Sequence, residues 1–180
     1  MAMTDSAAGD GLDSSTAEVA ADPIWRFAHW LKAAQEAGLP EPTAMTLATA
    51  SAAGAPAARM VLLKDFDERG FVFYTNMESG KGRDLVDNPR AALVFYWAPL
   101  ERQVRVTGDV AQVSGAESDA SFASRSRAAR LGAWASRQSS VIPSRATLEA
   151  RLAEYEAQYP DEAIARPPYW GGYRVTPHSI

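Results

Sequence analysis

Two cations bracket a short apolar run at Arg59-Met60-Val61-Leu62-Leu63-Lys64. Its length and β-branched content suit a strand inside a sheet better than a helical turn. Side chains on a strand alternate faces, which sets Arg59, Val61 and Leu63 on one side and Met60, Leu62 and Lys64 on the other. Such a strand offers a grip to two different anions; the competing reading is a pair of strand-end cations whose heads reach water. A second cationic group follows at Ser79-Gly80-Lys81-Gly82-Arg83. There Ser79 is a helix cap, and free backbone N–H groups, two glycines and two cations gather where a phosphate is well held. The GxxxxGK[ST] spacing of a P-loop is absent, so the rival is a glycine-loosened helix start with solvated cations. A third group, Arg125-Ser126-Arg127-Ala128-Ala129-Arg130, precedes Gln138-Ser139 and reads either as a solvated face or as an anion pocket. Gln103 and Arg105 share one face of a strand, toward a ligand's polar edge or toward water.

Other chemistries are poorly supplied. The chain has no cysteine, hence no disulfide, thiolate nucleophile or cysteine zinc site, which suits a reducing compartment. Its two histidines, His29 and His178, lie far apart in sequence, which argues against a metal site or a Ser-His-Asp triad. A formal net charge of −4 gives no bulk attraction for nucleic acid or acidic membranes, so anion binding must come from local clusters. No apolar run reaches the roughly 20 residues of a membrane helix, and the N-terminus lacks the basic start and apolar stretch of a signal peptide. The reading is a cytoplasmic protein.

The elements that must position these residues follow from periodicity. Residues 1–21 are rich in Ala, Ser, Asp and Gly and read as a disordered tail, leaving 22–180 as one domain. Asp22-Pro23 opens a helix with Ile24, Phe27, Ala28, Leu31 and Ala34 on one stripe and Gly38 at its end. From Thr43 the period changes to strands: one carries Met45, Leu47 and Thr49, a turn follows at 53–56, and then comes the strand with Arg59. Residues 65–70 read as a polar connection to the strand Phe71-Val72-Phe73-Tyr74-Thr75, and short strands with tight turns read as antiparallel. A helix capped by Ser79 runs to about Asp87, stopped by Asn88-Pro89. Residues 91–97 form an apolar strand. A long strand over 102–113 buries Val104, Val106 and Val110, with a bulge expected near 108–111 because Val113 falls out of register. Ser114-Gly115-Ala116-Glu117 is a capping box that opens a helix to about Ser124. Ser144 caps a further helix whose Leu148, Leu152, Tyr155 and Tyr159 read as a buried stripe. Residues 170–175 form the last strand.

Several stretches, in this order and at these spacings, resemble the pyridoxine/pyridoxamine 5′-phosphate oxidase family. They are Arg59 to Lys64, Tyr74-Thr75-Asn76, Lys81-Gly82-Arg83, Leu100-Glu101-Arg102-Gln103-Val104, Gly132 to Ser136 with Gln138-Ser139-Ser140, and Trp170 to Val175. The resemblance spans about Asp22 to Ile180. It implies an α+β fold: an antiparallel FMN-binding split β-barrel with peripheral helices, working as a homodimer with FMN at the interface. It implies that Arg59 and Lys81 hold the FMN phosphate and that the strand Arg59, Met60, Val61, Leu62, Leu63, Lys64, with Tyr74 and Thr75, lines the flavin. Gln103, Gln138 and Ser139 would hydrogen-bond the cofactor, some from the partner subunit, and Lys64 and Arg125 would bind the substrate phosphate. The implied reaction oxidises pyridoxamine or pyridoxine 5′-phosphate to pyridoxal 5′-phosphate with oxygen as acceptor, giving hydrogen peroxide, in vitamin B6 biosynthesis. The flavin carries that chemistry, which explains why no side-chain nucleophile or catalytic dyad is evident.

The sequence departs from the family pattern at identifiable places. Gly80 stands where a second cation usually precedes the lysine, and Ser121 and Ala129 stand where a tyrosine and a serine commonly help hold the substrate phosphate. A lost charge-assisted bond costs about 1.5–3 kcal/mol and a neutral one nearer 1. A basic N-terminal stretch is not evident in residues 1–21, and the family's later Trp and Arg-Leu-His segment have no counterpart before Ile180. Three expectations follow: a true oxidase whose sequence is given incompletely, with weak activity for the chain as written; a split-barrel flavoenzyme acting on another substrate; or an FMN-binding module with little turnover.

Overall fold

The Asp22 carboxylate starts the first helix, α1 (Pro23–Glu36), by accepting the Ile24 N–H at 2.9 Å, with Pro23 in the first turn, where a missing donor costs nothing. These features come from a computed structural model, which describes residues 22–161 and 163–180. The tail expected over 1–21 lies outside the described residues. Phe27, Leu31 and Ala34 form the buried stripe of α1. The Phe27 ring meets Phe66 and Phe71 edge-on at 4.9 Å each and Phe95 at 4.8 Å, so this one side chain plugs the main core.

Among the described residues, the strands are β1 (Ala44–Ala50), β2 (Pro56–Leu62), β3 (Asp65–Asp67), β4 (Gly70–Asn76), β5 (Arg90–Trp97), β6 (Arg102–Gln112) and β7 (Trp170–Ser179). They form one sheet, ordered β2-β1-β5-β6-β7-β4-β3, with every pairing antiparallel. The sheet curls until β2 approaches β4, near its other end, and the Lys64 N–H donates to the Val72 carbonyl at 2.9 Å. This is the expected split barrel, with a seam between β2 and β4. The strand carrying Arg59 is therefore at the edge of the sheet rather than inside it, and Pro56 at its start fits an edge. Its faces alternate as expected: Arg59 and Val61 are half-buried and Leu63 is buried, whereas Met60, Leu62 and Lys64 are exposed.

The bulge expected in β6 near 108–111 is corrected: Thr107 pairs with Ser179 and Gly108 with Pro177, so the extra residue is His178 on β7, and β6 runs in even register from Gly108 to Gln112. Two further strand expectations need correction. The polar connection after Lys64 contains β3, because Asp65–Asp67 finds a ready partner in β4; and the last strand runs on to Ser179 because β6 is long enough to pair it.

Among the described residues, four further α-helices pack around the sheet. They are α2 (Gly80–Asp87), α3 (Gly115–Ala123), α4 (Arg127–Ala135) and α5 (Arg145–Gln158). Ser79, Ser114, Ser126 and Ser144 cap them, and the Ser114–Glu117 capping box forms as the sequence indicates. Of the Arg125–Arg130 stretch, read as a solvated face or an anion pocket, Arg125 precedes α4, Ser126 caps it and Arg127 to Arg130 form its first turn. The stripe on α5 is corrected too: Leu148 is exposed, and Leu152, Tyr155 and Tyr159 are half-buried against a second core of Phe122, Leu131, Ile164 and Trp170. That helix lies on the outside of the helical layer, so one side of its stripe meets water.

Candidate functional site

At the seam lies a cavity of about 620 Å³, within the size range of small-molecule sites. Strand β2 lends it Arg59, Met60 and Val61; β4 lends Tyr74, Thr75 and Asn76; and α2 lends Lys81. The other side is closed by Ala129, Gly132 and Ala133 of α4, by Arg125, Ser136 and Gln138 flanking that helix, and by Trp170 at the start of β7.

Lys81 enters because α2 begins where it does. Ser79 Oγ accepts the Gly82 N–H, and Gly82 lets the helix start press against the preceding turn: a Cβ there would lie 1.9 Å from the Met77 carbonyl oxygen. The Lys81 side chain is consequently buried, and its ammonium donates to Gln138 Oε1 at 2.6 Å and to Thr75 Oγ1 and Ser79 Oγ at 3.2 Å each. All three partners are neutral. Burial pushes the Lys81 pKa down, and the nearby positive charge of Arg59 pushes it further.

Arg59 is anchored from behind. Its Nη1 donates to Thr49 Oγ1 at 2.7 Å and to the Leu47 carbonyl at 3.2 Å, while Nη2 stands 3.7 Å from Asp84 Oδ2. The Thr49 hydroxyl donates in turn to the same Asp84 oxygen at 2.6 Å. Across the cavity, Arg125 lies over the Trp170 ring at 4.9 Å and donates to the Ala129 carbonyl at 3.0 Å. Burial lowers the Arg125 pKa, and Trp170 stacks on Tyr74 at 5.1 Å.

Of the residues singled out in the sequence, Arg59, Met60, Val61, Tyr74, Thr75, Lys81, Arg125 and Gln138 meet at this cavity. Ser139 lies beside it, its Oγ 3.7 Å from where a Gly80 Cβ would sit. Leu63 packs into the main core, and Leu62 and Lys64 face outward on the other side of the strand; none of the three lines the cavity. Gln103 lies elsewhere, in a separate hollow with Arg26, Trp30 and Arg105. Sequence reasoning did not single out Asn76, Ser136 or Trp170 as site residues, nor Thr49 and Asp84 behind Arg59. Trp170 and Asn76 lie in the motifs that carry the family resemblance. No local pattern marks Thr49 and Asp84, which meet only through tertiary structure.

A buried ammonium with neutral partners beside a guanidinium is a place that favours an incoming phosphate, because charge-assisted bonds to an anion are the strong kind. The residues present thus fit the phosphate end of FMN. An antiparallel barrel split between two strands, with paired cations at the split, defines a split-barrel protein suited to an anionic small ligand. Comparison with known proteins makes this specific. The family model described as pyridoxamine 5′-phosphate oxidase matches residues 31–159. The chain is 59% identical over 163 residues to the pyridoxine/pyridoxamine 5′-phosphate oxidase of Acaryochloris marina, covering 91% of this chain and 74% of that protein. It is 60% identical over 169 residues to the enzyme of the same name from Thermosynechococcus vestitus, covering 94% and 78%. Among solved structures it is similar to PhzG from Burkholderia lata in complex with tetrahydrophenazine-1-carboxylic acid, with a TM-score of 0.84 and 32% identity over 94% of this chain and 83% of that one. The chain belongs to the pyridoxamine 5′-phosphate oxidase family.

Proposed function

We propose that this protein oxidises pyridoxamine or pyridoxine 5′-phosphate to pyridoxal 5′-phosphate, with FMN as cofactor and oxygen as acceptor. For the amine, substrate, oxygen and water give aldehyde, ammonia and hydrogen peroxide. The observation that carries the reading is the buried Lys81 ammonium beside Arg59 with only neutral oxygens as partners, in a chain about 60% identical to named oxidases. Arg59 and Lys81 hold the cofactor phosphate. Thr75 and Gln138, already bonded to Lys81, orient that ammonium, and Ser139 adds a hydroxyl beside Gly80. Val61 and Tyr74 form the wall along which a flat ring lies, with the exposed Met60 at its edge. FMN, when bound, supplies two-electron chemistry that no side chain here has. Arg125, stiffened by its contact with Trp170, binds the substrate phosphate, with Lys64 as a second cation that must swing in from the outer face. Gln103 reaches a cofactor only if a second copy presents it, which favours a homodimer.

A second reading is favoured by Ala129, which lines the cavity without a hydroxyl, and by the likeness to a structure holding an unphosphorylated carboxylic acid. In that reading Arg125 receives a carboxylate on a larger ring system.

Purified protein with FMN, given pyridoxamine 5′-phosphate under air, is expected to form peroxide and pyridoxal 5′-phosphate in equal amounts. Bound FMN without that product, together with turnover of a tricyclic carboxylate in a substrate panel, would decide for the second reading. Among the described residues no helix is long and apolar enough to cross a membrane.

A further inference from the structure

We infer that Asp84, acting through Thr49, is a positioning residue for the phosphate end of the cofactor. The inference rests on the reading that Arg59 and Lys81 hold that phosphate. Arg59 comes from β2, an edge strand with only β1 beside it in the sheet, so the strand alone does little to fix a long side chain. Its guanidinium is instead held by a three-member chain. Arg59 Nη1 donates to Thr49 Oγ1 at 2.7 Å, Thr49 Oγ1 donates to Asp84 Oδ2 at 2.6 Å, and the same oxygen stands 3.7 Å from Arg59 Nη2.

This is not an ordinary surface ion pair. The Arg59 and Asp84 side chains are 23% and 20% exposed, and Thr49 is 4% exposed. Asp84 does not line the cavity, so it is no ligand itself. It stands three residues after Lys81 on α2, about one helical turn away. One short helix therefore carries both the ammonium and the carboxylate that fixes the other cation, and the spacing between the two cations is set by that helix. The carboxylate also offsets the mutual repulsion of Arg59 and Lys81 before an anion arrives. Two groups on Nη1 and one near Nη2 hold the guanidinium from behind and leave its remaining N–H donors for the cavity.

The test compares FMN with riboflavin, which lacks the phosphate, by flavin titration of the full chain and by FMN release from the loaded chain after dilution. Asp84→Ala and Thr49→Val are each expected to weaken FMN about tenfold, the scale of one charge-assisted bond, while leaving riboflavin unchanged. Thr49→Ser, which keeps the hydroxyl, is expected to retain FMN affinity. In an Arg59→Ala background, Asp84→Ala is expected to have no further effect, since it acts through Arg59. Equal loss of FMN and riboflavin would mean a merely structural role. Unchanged or tighter FMN binding in Asp84→Ala, or an effect that persists without Arg59, would also overturn the inference. If the unaltered chain shows no preference for FMN over riboflavin, the phosphate site itself is wrong; if it does but the ratio survives in both variants, only the role of Asp84 falls.

Discussion

Lys81 is a cation under tension between burial and function. Its pKa lies below the ordinary 10.5, first from desolvation and then from Arg59. Between that lowered value and 10.5, the unfolded chain holds a proton that the folded chain has released, so the stability of the flavin-free chain rises with pH in that window. Below the window the cost of the buried charge is felt in full. On the proposed role of Lys81, FMN affinity is expected to run the opposite way and to fall as pH rises through the lowered pKa, because the charged ammonium is being lost; titrations from neutral to alkaline pH check both slopes. Lys81→Met is expected to lose about 1.5–3 kcal/mol of FMN binding, yet leave the flavin-free chain at least as stable in urea, since an unpaired buried charge has gone. Arg125→Ala is expected to raise KM for pyridoxamine 5′-phosphate with a much smaller change in kcat, by steady-state peroxide assay, since the role proposed for that guanidinium is binding rather than reaction. At this scale the sequence singled out the cations that the cavity gathers, Arg59, Lys81 and Arg125, but not what stands behind them. Arg59 and Lys81 sit in recognisable motifs, whereas Thr49 and Asp84 are an ordinary strand residue and an ordinary helix residue until the fold brings them together.

Among the elements, α1 fills the core under the sheet and α2 carries Lys81 into the cavity. Phe27→Ala would empty the centre of the aromatic cluster and is expected to cost about 3–5 kcal/mol in denaturant unfolding. Gly82→Ala would drive a methyl into the Met77 carbonyl, shifting the start of α2; a loss of about 1–3 kcal/mol is expected, together with weakened FMN binding. Gly80→Ala, two residues earlier, meets only the Ser139 side chain at ordinary contact distance and is expected to be nearly silent in the same unfolding assay. Elements set by local chemistry were legible from sequence: the Asp22 and Ser79 caps and the Ser114–Glu117 box all appear where residue types place them. Elements set by distant partners were not. Strand β3 exists because β4 pairs with it, β7 runs to Ser179 because β6 extends that far, and Leu148 is left partly open by the described residues around α5.

For the whole molecule, the position of Gln103 is the informative fact. It shares a hollow with Arg26, Trp30 and Arg105, apart from the cavity that holds Arg59 and Lys81. If two copies together make each cofactor site, Arg59→Ala and Gln103→Ala chains that each bind FMN poorly should recover binding when unfolded, mixed and refolded. Sedimentation of the same samples would show whether pairing accompanies the recovery. The family was readable from motif order, but a division of labour between copies is invisible in one chain's sequence, because it depends on which surfaces meet. The barrel's seam has a consequence of its own. Backbone amides of β5, β6 and β7 are locked between neighbours, whereas β2 has a neighbour on one side only. In heavy water, β2 should therefore take up deuterium well ahead of the central strands, and loading the flavin should slow β2 while scarcely altering the rest, as though the cofactor were the missing stave.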